Sequence, residues 1–202
     1  APSDIRGGVR RHARRGMKVS KETSAKHRDN LVRAASRLFR EKGFDKVGIA
    51  EITAAAGLTH GAFYTHFDSK EALCAEAITR TSRRTAEAVK ANTDWHAYVE
   101  AYLDPKHVRD RGNGCPYAAL SGDVPRESAL VKSAFSRALE GSVEALADRL
   151  GDENGTTARE RAILSLATLV GAVVLARTAT DTGLRDEILS AAKAKLLGPS
   201  KA

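Results

Sequence analysis

Two stretches of this chain hold side chains arranged for chemistry. The first runs Thr59-His60-Gly61-Ala62-Phe63-Tyr64-Thr65-His66, followed by Lys70. Its hydroxyls, imidazoles, phenol and ammonium are donors of the kind that meet phosphates and base edges. The second is Cys115, within Gly112-Asn113-Gly114-Cys115-Pro116-Tyr117. A thiol that follows a flexible loop and opens a short helix can have its pKa lowered by the helix dipole. His107, Arg109 and Arg111 would add positive potential. The alternative, which is preferred, is a small buried thiol that packs and does not react. Cys74 reads as core. Neither cysteine has a near partner, and His60, His66, His96 and His107 lack ligand spacing, so no metal and no cofactor are expected. No Gly-x-Ser-x-Gly, phosphate-binding glycine loop or His-Glu-x-x-His occurs in suitable context, so an enzyme is not expected.

Helices must position the first stretch. Ala54, Ala55 and Ala56 end one helix, and Gly57 takes the left-handed conformation that stops it. Leu58 points inward and Thr59 caps a new helix at His60. This is a helix-turn-helix, whose second helix enters the DNA major groove. The spacing predicts helices over 25–42, 49–56, 60–66 and 70–92. Leu31, Ala34, Ala35, Leu38 and Phe39 form the first inner face. Gly43 stops that helix and Phe44 folds beneath it. Asp68 or Ser69 caps the fourth helix, whose inner face carries Leu73, Cys74, Ala77 and Ile78.

Beyond Asn92 the pattern predicts helices over about 94–103, 115–120, 125–150 and 156–180, and a last one ending at Leu197. Asp104-Pro105 reads as a break opening a polar loop over 104–114. No convincing strand appears. The expected fold class is all-α: an N-terminal three-helix helix-turn-helix domain plus a C-terminal helical ligand-binding and dimerisation domain. The expected divisions are a disordered basic arm (1–24), a DNA-binding domain (25–70) and a regulatory and dimerisation domain (71–202).

The net charge of +8 is uneven. Residues 1–28 carry nine Lys or Arg against two acidic residues, and residues 29–80 carry seven of each. The arm is therefore either a polyanion-attracting extension or a solvated one without a partner. Two cysteines in 202 residues argue against a disulfide framework. The longest apolar run, 162–176, is short for a bilayer and reads as a buried helix. A cytoplasmic protein is expected.

Residues 25–78, and RAASRLFREKGFDKVGIAEITAAAGLTHGAFYTHFDSKEAL in particular, closely resemble the DNA-binding domain of TetR-family transcriptional regulators. The shared features are the Gly-Phe closing the first helix, the Ile-x-x-x-Ala-Gly turn, Gly-x-x-Tyr-x-His-Phe in the third helix and the following Lys. The resemblance implies a DNA-binding, ligand-responsive repressor acting as a homodimer on a palindromic double-stranded operator, without membrane association. Thr59, His60 and Gly61 would meet the groove; Ala62 offers only a methyl group for thymine. Tyr64, His66 and Lys70 would contact phosphates. Partial burial is the alternative for Tyr64, and a packed, satisfied imidazole for His66. Phe63 and Phe67 are expected in the core. Gly48 stands where the family often has a Ser or Thr cap.

The resemblance also implies an effector cavity among the helices of 94–180, for an unknown small molecule. Trp95, Tyr98, Tyr102, Tyr117 and Phe135 are its aromatic candidates, with Cys115 as pocket or sensor residue. Ordinary core is the alternative for each aromatic. The last two helices are expected to pair with their twins through Leu166, Val170, Val173, Val174, Leu184, Ile188 and Ala192. The alternative is a closed monomeric core.

Overall fold

The computed structural model describes residues 21–91, 94–153 and 155–198, and most of the basic arm lies outside them. Among these residues there are helices and one isolated bridge, Glu153 with Thr156, but no strand.

The N-terminal head contains α1 (Lys21–Lys42), α2 (Ile49–Ala55) and α3 (His60–Phe63). Helix α1 already includes residues 21–24, so that end of the expected arm is ordered helix. It stops at Gly43, whose φ of 85° lies in the left-handed region. Leu31, Val32, Ala35, Leu38 and Phe39 are buried, and Phe39 packs on Phe44 at a ring separation of 5.3 Å.

Helix α4 (Lys70–Ala91) is capped by Ser69, whose Oγ accepts from Ala72 N–H at 3.1 Å. Its length of about 33 Å lets one end serve the head while the rest packs elsewhere. Leu73, Cys74, Ala77 and Ile78 are buried as expected.

Asp94 caps α5 (Trp95–Tyr102) by accepting from His96 N–H. The expected polar loop over 104–114 instead begins with α6 (Pro105–Arg109). Asp104 accepts from Lys106 N–H at 2.6 Å and Pro105 occupies the first turn, where its missing N–H costs nothing. Cys115 precedes α7 (Pro116–Leu120). Pro125 lies in a separate 3-10 turn over Val124–Arg126, so α8 (Ala129–Leu150) starts later than expected, capped by Ser128.

Helix α9 (Ala158–Thr178) opens with a capping box between Thr157 and Glu160. By length and composition alone it is apolar enough to cross a bilayer, unlike the shorter run read from sequence. Here Leu166, Leu169 and Val173 are buried, and the helix packs on α7 and α8. Near its end, Arg177 donates to Val108 C=O at 3.0 Å. Helix α10 (Thr182–Leu197) is capped by Asp181, so Gly183 lies within it rather than before it. It packs on α9 and α5, where Trp95 Nε1 donates to Leu196 C=O at 3.2 Å.

Candidate nucleic-acid interface

The α2–α3 turn is closed by backbone hydrogen bonds. Gly57 N–H donates to Ala54 C=O at 3.1 Å and Leu58 N–H to Thr53 C=O at 2.9 Å. Gly57 has φ of 70°, as the sequence requires. Thr53 is buried, and its hydroxyl donates to the Ile49 and Ala50 carbonyls at 3.0 Å each. This leaves α3, which spans 60–63 rather than the expected 60–66 and continues as turns. So short a helix is not stable alone. Phe63 and Phe67 hold it: both are buried, with ring centroids 5.9 Å apart. Burying one such ring is worth about 1.5–3 kcal/mol.

The face opposite Phe63 is open. Thr59, His60, Gly61 and Tyr64 are exposed. Thr59 occupies the capping position, but its side chain makes no cap hydrogen bond, contrary to the sequence expectation. Tyr64 is 58% exposed and is fixed by its ring, edge-on to Phe63 at 5.1 Å and to His60 at 5.7 Å. A Cβ added to Gly61 would meet nothing within 4 Å, so its surface is bare backbone.

Three expected contacts lie differently. Ala62 is half-buried, which restricts its methyl. Lys70 donates from Nζ to Phe44 C=O at 2.6 Å and so ties α4 to the α1–α2 loop before meeting any phosphate. His66 is half-buried beside His27, at a ring separation of 6.2 Å, and near Arg28. Desolvation, then these two groups, hold its pKa below the usual histidine value. Arg28 stands 4.5 Å over the Phe67 ring and pairs with Glu76.

Residues 31–77 match the family model for bacterial regulatory proteins of the tetR family. These residues form a TetR-type DNA-binding domain. The HTH-type transcriptional repressor DhaR of Mycobacterium sp. (strain GP1) is 28% identical over 149 residues, covering 67% of this chain and 72% of DhaR. An uncharacterized HTH-type transcriptional regulator of Bacillus subtilis, YerO, is 44% identical over 50 residues. That match covers 25% of this chain and only 17% of YerO. Among solved structures, the reduced form of Escherichia coli NemR superposes with a TM-score of 0.72 at 22% identity. It covers 84% of this chain and 94% of that one, a likeness of fold.

The expected effector residues divide. Tyr98, Tyr102 and Cys115 line one cleft of about 780 Å³. Trp95, Tyr117 and Phe135 do not line it. Tyr117 donates to Ala138 C=O at 2.6 Å, its hydroxyl lies 2.7 Å from Ser142 Oγ, and Phe135 meets its ring at 5.4 Å. Trp95 stacks on Tyr98 and is tied to α10. The cleft is also not enclosed by 94–180 alone. Its outer walls come from α1 and α4, including Arg33, Arg37, Arg40, Arg80 and Arg84. Sequence reading missed these arginines, because arginines three or four apart on a helix look like a solvated face.

Cys115 is at a helix start, as expected, but it is buried, and desolvation pushes its pKa up rather than down. His107 is oriented by two contacts: its Nε2 accepts from Cys115 N–H at 3.0 Å, and Nδ1 lies 2.5 Å from Tyr102 C=O. Arg109 and Arg111 are exposed, and Arg177 and Arg40 are the guanidiniums acting on the thiol. Cys74 is pushed to about 12 by burial. Among the described residues no group of histidines, cysteines and carboxylates could hold a metal ion.

Of the expected pairing residues, Leu166, Val173 and Ala192 are buried within the single chain, because α9 and α10 close on α5, α7 and α8. Val170 and Ile188 are half-buried, while Val174 and Leu184 are exposed. Ile163, Leu164 and Leu175 are exposed too.

Proposed function

We propose that this chain is a cytoplasmic, homodimeric, sequence-specific transcriptional repressor, released from a palindromic operator by a small molecule or by thiol modification. The observation that carries the reading is the outward face of Thr59, His60, Gly61 and Tyr64, held rigid by Phe63 and Phe67 beneath it. DhaR and NemR, both HTH-type transcriptional repressors, support the repressor assignment. One such head reads few base pairs, so two must act together on half-sites roughly 34–36 Å apart. The exposed apolar side chains Leu164, Val174, Leu175 and Leu184 of α9 and α10 supply the pairing surface, and Gly171 leaves room for close approach.

The head extends from α1 into the first turns of α4, and the remainder forms the regulatory half. An effector acts by binding one relative placement of the two heads better than the other. Thiol modification at Cys115 acts the same way but requires its segment to open first. The basic arm adds salt-dependent, sequence-independent attraction.

Selection of duplexes from a random pool tests the reading. A palindrome with half-sites on one DNA face should be enriched. An unenriched pool overturns it.

A further inference from the structure

The cleft between α1 and α4 has an unusual charge inventory. Five arginines line it and no carboxylate does. Arg33 and Arg80 both pair with Asp29, and Arg37 pairs with Glu41. Arg40 and Arg84 have no carboxylate within ion-pair distance among the described residues. Arg40 is half-buried and donates instead to neutral oxygens: Nε and Nη2 to Gly112 C=O at 2.8 and 2.5 Å, and Nη1 to Ser36 Oγ at 2.7 Å and Thr81 Oγ1 at 3.1 Å. Asp110 and Glu41 act on it through space without forming an ion pair. A guanidinium withdrawn from water without an anion is incompletely compensated.

The cleft floor carries a second unmet group. Tyr102 is 8% exposed and its hydroxyl has no oxygen or nitrogen partner. The Cys115 thiol, a weak hydrogen-bonding group, faces it. The remaining lining includes Val32, Ala34, Ala88 and the Tyr98 ring. The volume of about 780 Å³ suits a small molecule.

We propose that this cleft binds a small amphipathic carboxylate, with its anionic end on Arg84, Arg40 and the Tyr102 hydroxyl and its apolar body against Val32 and Tyr98. Arginine matches a carboxylate with two parallel hydrogen bonds, and the apolar lining favours a monoanion with a hydrocarbon body over a bare anion. Arg40 belongs to the head and Arg84 to α4, so the bound anion fastens α1 to α4. That consequence rests on the repressor reading; the binding does not.

Calorimetry on the full chain without DNA tests it, using benzoate, cinnamate and octanoate, their primary amides, and inorganic phosphate. The acids should bind, and the amides and phosphate should bind at least about tenfold more weakly. Arg84→Ala should weaken acid binding by about tenfold, and Tyr102→Phe by a smaller factor. Arg83→Ala, one residue along α4 and outside the cleft, should leave it unchanged. Acids that match their amides or phosphate, acids that give no heat, or acid binding indifferent to both cleft variants would each overturn the proposal. Because no DNA is present, these outcomes are separate from the duplex selection.

Discussion

Tyr64 is held by ring contacts while its hydroxyl end faces outward. Tyr64→Phe should therefore leave the melting temperature unchanged and weaken binding to every duplex by about three- to tenfold, read by fluorescence anisotropy. A loss confined to one base sequence would assign Tyr64 to base reading. His66 has the opposite character. Desolvation first, then His27 and Arg28, lower its folded pKa. Its neutral form is the native one, so its contribution is complete above the ordinary value of about 6.5 and is lost as pH falls through the lower folded value. Urea midpoints should fall on acidification below about pH 6.5, and His66→Gln should flatten part of that fall. The outward placement of Thr59, His60, Gly61 and Tyr64 was legible in the sequence because Phe63 and Phe67 alternate with exposed positions. The engagement of Lys70 with the Phe44 carbonyl was not, because it joins groups 26 residues apart.

At the level of elements, the α2–α3 turn was the most legible part, since glycine relieves the steric cost of its left-handed backbone. A Cβ at Gly57 meets nothing within 4 Å, so Gly57→Ala is strained by backbone alone. It should destabilise the head by about 1–2 kcal/mol in denaturant titration, and duplex affinity should fall with it. Helix α6 was misread because Asp104-Pro105 is both a way to leave a helix and a way to begin one. The choice depends on burial of Val108 and on Arg177 reaching its carbonyl, contacts made across 69 residues. The cleft was illegible for a related reason. Arg40 joins it only because the loop before α7 folds back to place Gly112 C=O against α1.

At the level of the molecule, the pattern of α9 showed an excess of apolar faces but not which of them the chain covers itself. Leu166 and Val173 turn inward, whereas Leu164 and Leu175 remain at the surface. Leu175→Glu should yield a folded single-copy particle in sedimentation and abolish binding to the palindrome, while a dimer that survives would place the pairing surface elsewhere. Helix α4 packs on both α1 and α8. The stretch that anchors the reading head is thus also a rib of the regulatory body. A chimera joined at residue 70 would strip Leu73, Cys74, Ala77 and Ile78 from the head they seal, so grafted specificity will need a splice inside α4, after Ile78 and before the arginines of the cleft.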